Sequence, residues 1–182
     1  MVLVKGTNCG FVTTAPTVDP NESAFTQDNT ARAFKDIAPI GAVIITEIGI
    51  WIDNATEAAD IEVGIYSHDA GDDEPDNLLG STTFAKGLTS GWKKATGLNI
   101  PVVAGITYWI GAQLDDTATD TDTDRKLGII EADRYAEKLV QASLPNPWGD
   151  SSRNYDNRYI AIYAVWEEVK TGFMTTNTKY WN

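Results

Sequence analysis

Four runs decide the fold: Ile-Glu-Val-Gly-Ile-Tyr-Ser (61–67), Leu-Leu-Gly-Ser-Thr-Thr (78–83) after an acidic Gly/Pro turn, Gly-Trp-Lys (91–93) and Val-Ala-Gly-Ile-Thr-Tyr-Trp-Ile (103–110). Short β-rich runs bounded by turn formers, recurring at roughly ten-residue spacing, are the pattern of an antiparallel β-sandwich. Successive side chains of a strand point to opposite faces, so Ile61, Val63 and Ile65 share one face and Glu62, Gly64 and Tyr66 the other. Tyr108, Ile110, Ala112 and Leu114 alternate in the same way with Trp109, Gly111 and Gln113.

The rhythm continues outward. After Pro39 and Gly41, residues 44–52 place Ile44, Ile48, Ile50 and Ile52, with Thr46, on the face expected to be core, and Ile45, Glu47, Gly49 and Trp51 on the other. Residues 53–56 are a turn-prone connection, and residues 67–77, Ser-His-Asp-Ala-Gly-Asp-Asp-Glu-Pro-Asp-Asn, read as a loop. A strand resumes over 80–84, another opens at Gly91-Trp92, and residues 100–105 read as a strand end and turn. Residues 129–143 carry the helix formers Glu131, Ala136, Glu137, Lys138 and Leu139, yet Tyr135, Leu139 and Gln141 also alternate along a strand, which is the preferred reading. Residues 159–166 form a central-strand candidate.

Residues 8–29 are rich in Thr, Asn, Asp and Pro, which predicts an extended arm or an edge strand with a loop over the sandwich. The expected division is therefore an N-terminal arm or edge strand over 1–38, a sandwich over 39–170, and a C-terminal strand or docking tail over 171–182.

Composition excludes several functions. The 182-residue chain is long enough for one domain with a core that needs no staples. Its 26 acidic against 14 basic residues give a formal charge of −12, which repels phosphate backbones and anionic bilayers. Neither nucleic acid nor membrane is an expected partner. Nine carboxylates with no Lys or Arg fall in residues 53–76, and five more in 115–124, as expected of solvated loops at one end of a sandwich. Cys9 is the single cysteine, so an intrachain disulfide cannot form. The N-terminal residues lack the basic, apolar and small-residue order of a signal peptide, so synthesis in a cytoplasm is expected.

The runs over 61–110, together with Leu-Pro-Asn-Pro-Trp (144–148) and Tyr-Ile-Ala-Ile-Tyr-Ala-Val-Trp (159–166), resemble a jelly-roll module of phage virion proteins and bacterial extracellular proteins, often carbohydrate-binding in the latter. The main resemblance spans residues 39–116 and carries no catalytic motif. It implies an all-β, single jelly-roll sandwich.

The sharpest chemical pattern is Asp120-x-Asp122-x-Asp124 with Glu131, acids at positions 1, 3, 5 and 12 of an EF-hand-like loop, where oxygens would converge on Ca2+. Position 6, which that loop gives to Gly, is Arg125, so a solvated acidic connection is the competing reading. Asp69, Asp72, Asp73, Glu74 and Asp76 form a second acidic group that turn chemistry alone explains. His68, the single histidine, lies between Ser67 and Asp69, and adjacent positions on an extended chain do not make a triad. No enzyme activity is expected, and no cofactor is required beyond a candidate Ca2+.

Aromatic residues supply the remaining candidates. Trp148, with Arg153 and Tyr155, has the character of a sugar platform, or else Trp148 folds over the open end of the sandwich to close the core. Phe173, Met174, Tyr180 and Trp181 form a pattern able to dock on a neighbouring subunit, or a final strand. The expected function is that of a non-enzymatic virion component, a capsid decoration or tail-associated subunit that associates with copies of itself and with other virion proteins. The alternative is a carbohydrate-binding or adhesion module of an extracellular or tail-fibre protein, recognising a cell-surface glycan.

Overall fold

The structure, a computed structural model, describes residues 2–54, 56–115, 117–127, 135–155 and 157–168. Among these are thirteen strands: β1 (Gly10–Val12), β2 (Ser23–Thr26), β3 (Thr30–Ile37), β4 (Ile44–Ile52), β5 (Asp60–Asp69), β6 (Glu74–Ala85), β7 (Gly91–Pro101), β8 (Thr107–Leu114), β9 (Asp122–Leu127), β10 (Tyr135–Leu139), β11 (Arg153–Tyr155), β12 (Arg158–Ile160) and β13 (Ile162–Glu167). The fold is all-β. A four-stranded sheet runs β1-β13-β4-β7, a six-stranded sheet β11-β10-β3-β8-β5-β6, and a small sheet β12-β9-β2. Pairing between these strands is antiparallel except for β1 with β13.

The main core lies between the two larger sheets. Ile48, Ile50 and Ile52 of β4 and Ile162 and Ala164 of β13 meet Phe34 of β3, Ile61, Val63 and Ile65 of β5, and Ile110, Ala112 and Leu114 of β8. Each fully buried branched aliphatic side chain contributes about 1.5–3 kcal/mol relative to exposure. The two alternations read over 61–66 and 108–114 are those of β5 and β8.

Residues 44–52 depart from strict alternation. Opposite Thr46 the register shifts on both flanks of β4, so Glu47 pairs Val165 while Ile45 pairs Trp166 on one side and Ile100 on the other. An irregular residue inverts the faces beyond it. Ile45 is consequently buried in the core beside Ile48, whereas Ile44, expected there, is half-buried.

The outer face of the six-stranded sheet carries a second cluster. Ala31 and Ala33 of β3 and Ala136 of β10 form a floor of small side chains, and Tyr66, Trp109, Leu144 and Trp148 fill the space above it. The loop after β10 closes over this face, with Trp148 N donating to Asp76 O at 2.9 Å and Tyr66 Oη to Pro145 O at 2.9 Å.

On the outer face of the four-stranded sheet, Trp92 meets both Trp51 and Tyr163 edge-on, with centroids 5.7 and 5.2 Å apart. Gly49 makes this packing possible: a Cβ there would stand 2.5 Å from Tyr163 Cε1. Trp92 Nε1 donates to Val18 O at 3.0 Å, which ties the N-terminal segment to this face.

Within the N-terminal 38 residues, expected as an arm or edge strand, β1 edges the four-stranded sheet, β2 belongs to the small sheet, and β3 is internal to the six-stranded sheet between β8 and β10. One expectation is corrected here. Residues 67–77 are mostly strand, because β5 continues to Asp69 and β6 begins at Glu74, leaving only a tight turn. Pro75 and the acidic residues are tolerated because β6 is an edge strand with two register shifts, where a missing N–H costs no central ladder bond.

Candidate docking surface

One end of the molecule gathers large aliphatic side chains that are not packed away. The turn after β3 is closed by Ala42 N donating to Pro39 O at 3.0 Å, which puts Ile40 at its tip, 93% exposed. Gly41 holds the backbone at φ +94°, and a Cβ there would stand 2.6 Å from the Glu168 carboxylate. The turn between β7 and β8 lies alongside: Ala38 N donates to Ile106 O at 2.9 Å, Gly105 N to Ala38 O at 2.8 Å, and Val102 N to Val43 O at 3.1 Å. These bonds bring Ile37, Ile40, Val103 and Ile106 together, each at least half exposed. Leu79 extends the patch, since it lines with Ile106, Tyr108, Ser67 and His68 an open depression of about 500 Å³. Apolar side chains gathered at one place on a surface, unlike scattered ones, mark interaction sites.

The β5–β6 hairpin supplies an acidic flank. Asp69, Asp72, Glu74, Asp76 and Asp150 surround a hollow of about 240 Å³ bordered by Pro75 and Pro147. Within it Glu74 accepts from Ser151 N at 3.0 Å and from Asn154 Nδ2. Lys35 Nζ donates to both oxygens of Asp73, at 3.0 and 3.1 Å.

His68 belongs to β5 and not to a loop. Its Nδ1 accepts from Trp109 Nε1 at 3.2 Å and its Nε2 lies 3.7 Å from Asp73 Oδ1. Ser67 Oγ instead donates to Asp76 Oδ2 at 3.2 Å and accepts from Asn77 N at 3.0 Å. The neighbouring hydroxyl and imidazole are therefore committed to different partners.

Three residues of the expected calcium loop, Asp120, Asp122 and Asp124, are described, and the last two lie on one strand. Asp122–Leu127 is strand β9, not loop; Asp120 is exposed, Asp122 Oδ2 accepts from Asn54 Nδ2 at 3.4 Å, and Asp124 is buried. Glu131 lies outside the described residues. Among the described residues, no three His, Cys, Asp or Glu side chains are arranged to hold a metal ion. Asp124 Oδ2 accepts from Glu22 N at 2.9 Å. Burial, reinforced by the neighbouring Asp53 and Asp19 carboxylates, pushes the Asp124 carboxyl up to about 7.

Trp148, Arg153 and Tyr155 do not share a surface. Trp148 is fully buried, and its Nε1 donates to Ser151 Oγ at 2.9 Å, so neither ring face is open to a sugar. Tyr155 stacks on Tyr135 at 5.7 Å, against the main core, with the Arg158 guanidinium 3.5 Å from its ring centroid. Arg153 Nη1 pairs with Glu137 Oε1 at 3.4 Å. Phe173, Met174, Tyr180 and Trp181 lie outside the described residues; the chain reaches that segment through Glu167, whose carbonyl accepts from Val43 N at 3.1 Å beside the apolar end.

Sequence reasoning missed a buried polar network. Arg32 Nε donates to Tyr135 Oη at 2.5 Å and to Glu137 Oε2 at 3.3 Å, and Arg32 Nη1 donates to Gln27 Oε1 at 2.9 Å. Phe25 receives two guanidinium groups, Arg32 at 4.5 Å and Arg125 at 4.7 Å from its centroid. A charged residue among Ala and Phe in Thr30–Ile37 was the available signal. Comparison of the chain with family models, with curated proteins and with solved structures gives no match.

Proposed function

We propose that the chain is a non-enzymatic structural protein of a virus particle, a capsid decoration or tail-associated subunit built on a jelly-roll sandwich, which works by self-association and docking. The observation that carries this reading is the patch of Ile37, Ile40, Val103 and Ile106, with Leu79, on an otherwise acidic molecule. Leaving so much aliphatic surface in water is unfavourable by roughly 25 cal/mol per Å², and covering it by a partner recovers that energy. The virion setting rests on the resemblance of residues 39–116. The carbohydrate-binding alternative has less support, because the ring offered as its platform, Trp148, is buried.

The test is the native mass and shape of the full chain by light scattering and negative-stain microscopy. A defined oligomer, ring or filament is expected. A monodisperse monomer of 19.8 kDa at assay concentrations contradicts self-association.

A further inference from the structure

We propose that the apolar end is closed by residues 169–182 of a second copy of the chain, exchanged reciprocally in an end-to-end dimer; this deepens the self-association reading and rests on it. Position is the first argument. The described chain ends at Glu168, whose carboxylate lies against Gly41, the neighbour of Ile40, so the following segment starts at the edge of the patch. Its fourteen residues span at most about 46–50 Å extended, enough to cross to an apposed molecule.

Complementarity is the second argument. Residues 169–182 contain Phe173, Met174, Tyr180 and Trp181, with Lys170 and Lys179 and no Asp or Glu. The segment carries +2, and since the whole chain carries −12, the remainder carries −14. The receiving end offers exposed aliphatics beside the Asp69, Asp72 and Glu74 hairpin. Two such ends pressed together directly would oppose like charges, whereas two basic segments placed between them relieve that repulsion.

Symmetry is the third. Origin and acceptor lie at the same end, so apposing two ends about a two-fold axis brings each segment to the other copy's patch. The contact then closes on itself. A stable interface buries roughly 1,200–2,000 Å² in total, and five aliphatic side chains per end fall short of that without an added segment.

The test uses full-length variants. Ile40→Glu with Val103→Glu spoils the acceptor at two exposed positions, and Phe173→Ser with Trp181→Ser spoils the segment. By sedimentation equilibrium the unaltered chain is expected to be a dimer, and each variant alone to dissociate at least tenfold more readily. An equimolar mixture of the two variants is expected to recover association, because one of the two exchanges remains intact. If the unaltered chain and the segment variant dimerise equally, the occupant is wrong while self-association stands. A mixture no tighter than its components overturns exchange. A monomeric unaltered chain overturns both readings, and greater hydrophobic-dye binding by the segment variant would then identify the segment as a cover for its own copy.

Discussion

The Tyr66 ring meets the Trp148 indole edge-on, with centroids 5.2 Å apart and planes at 88°, so that a tyrosine from the middle of β5 is roofed by a loop about eighty residues later. This contact seals the second core. Trp148→Ala is expected to cost about 3–5 kcal/mol, the range for deleting a buried large aromatic. Urea unfolding measures it, and a loss below about 1 kcal/mol would mean that the loop is not docked on the sheet.

Gly49 and Tyr163 occupy one space on the opposite sheet. Because an added Cβ would meet the ring at 2.5 Å, Gly49→Ala is expected to destabilise by about 1–3 kcal/mol through overpacking. Tyr163 Oη is held by Glu47 Oε1 at 2.5 Å, so the ring cannot swing aside without losing that bond. Combining Gly49→Ala with Tyr163→Leu should cost less than the sum of the two single changes. Additive losses would show that the clash is relieved some other way.

Arg32, Tyr135 and Glu137 form a buried unit in which removing one charge strands the other. Glu137→Leu alone, like Arg32→Met alone, is expected to cost about 3–5 kcal/mol, whereas the two combined should lie close to the unaltered protein. Thermal and urea melts of the four members of this cycle decide between a coupled unit and independent contacts.

Asp124 gives the pH dependence a definite sign. Its folded-state value of about 7 exceeds its ordinary 3.8, so between these values the folded chain binds a proton that the unfolded chain has released. Stability is greatest below the lower value, falls as pH rises through the window, and is level above it. Asp124→Asn mimics the neutral carboxyl and is expected to raise Tm near pH 8, with the two proteins converging near pH 4. Parallel pH profiles would show that Asp124 ionises normally in the fold.

The strands most legible in the sequence are those with one face in the core and one outside. Ile61, Val63 and Ile65, and likewise Tyr108 to Leu114, fall where a period of two puts them. Thr30–Ile37 carries no such signal, because its outward Ala31 and Ala33 are covered by the loop bearing Trp148 while Phe34 faces the main core. A strand buried on both sides lacks polar alternation. The misassigned face of Ile45 follows from the irregularity at Thr46, where the register to both neighbouring strands shifts and the alternation read from the sequence is broken. The acid-rich hairpin misled for a similar reason: breaker residues are poor in a central strand but acceptable on the edge strand β6.

Trp148 and the apolar end separate the two kinds of site signal. An indole in a Pro- and Gly-rich loop fits either an exposed platform or a cover closing the core, and three alanines contributed by two strands create the space in which it is buried. The patch of Ile37, Ile40, Val103 and Ile106 has no counterpart in any single run of sequence: the hydrogen bonds between two turns bring its members together.

The parallel pairing of β1 with β13 also sets the order in which the molecule can assemble. Residues 10–12 pair with residues 163–165, β2 with β9, and β3 with β8 and β10, so the earliest segments acquire partners only from chain made much later. During synthesis these segments therefore emerge unpaired, and ladder closure waits for the last strand. Such long-range closure makes folding slow, on the order of milliseconds to seconds or longer, and leaves β-prone segments open to aggregation in the interval. Soluble yield should therefore depend on the rate and temperature of expression more steeply than the stability of the finished protein does.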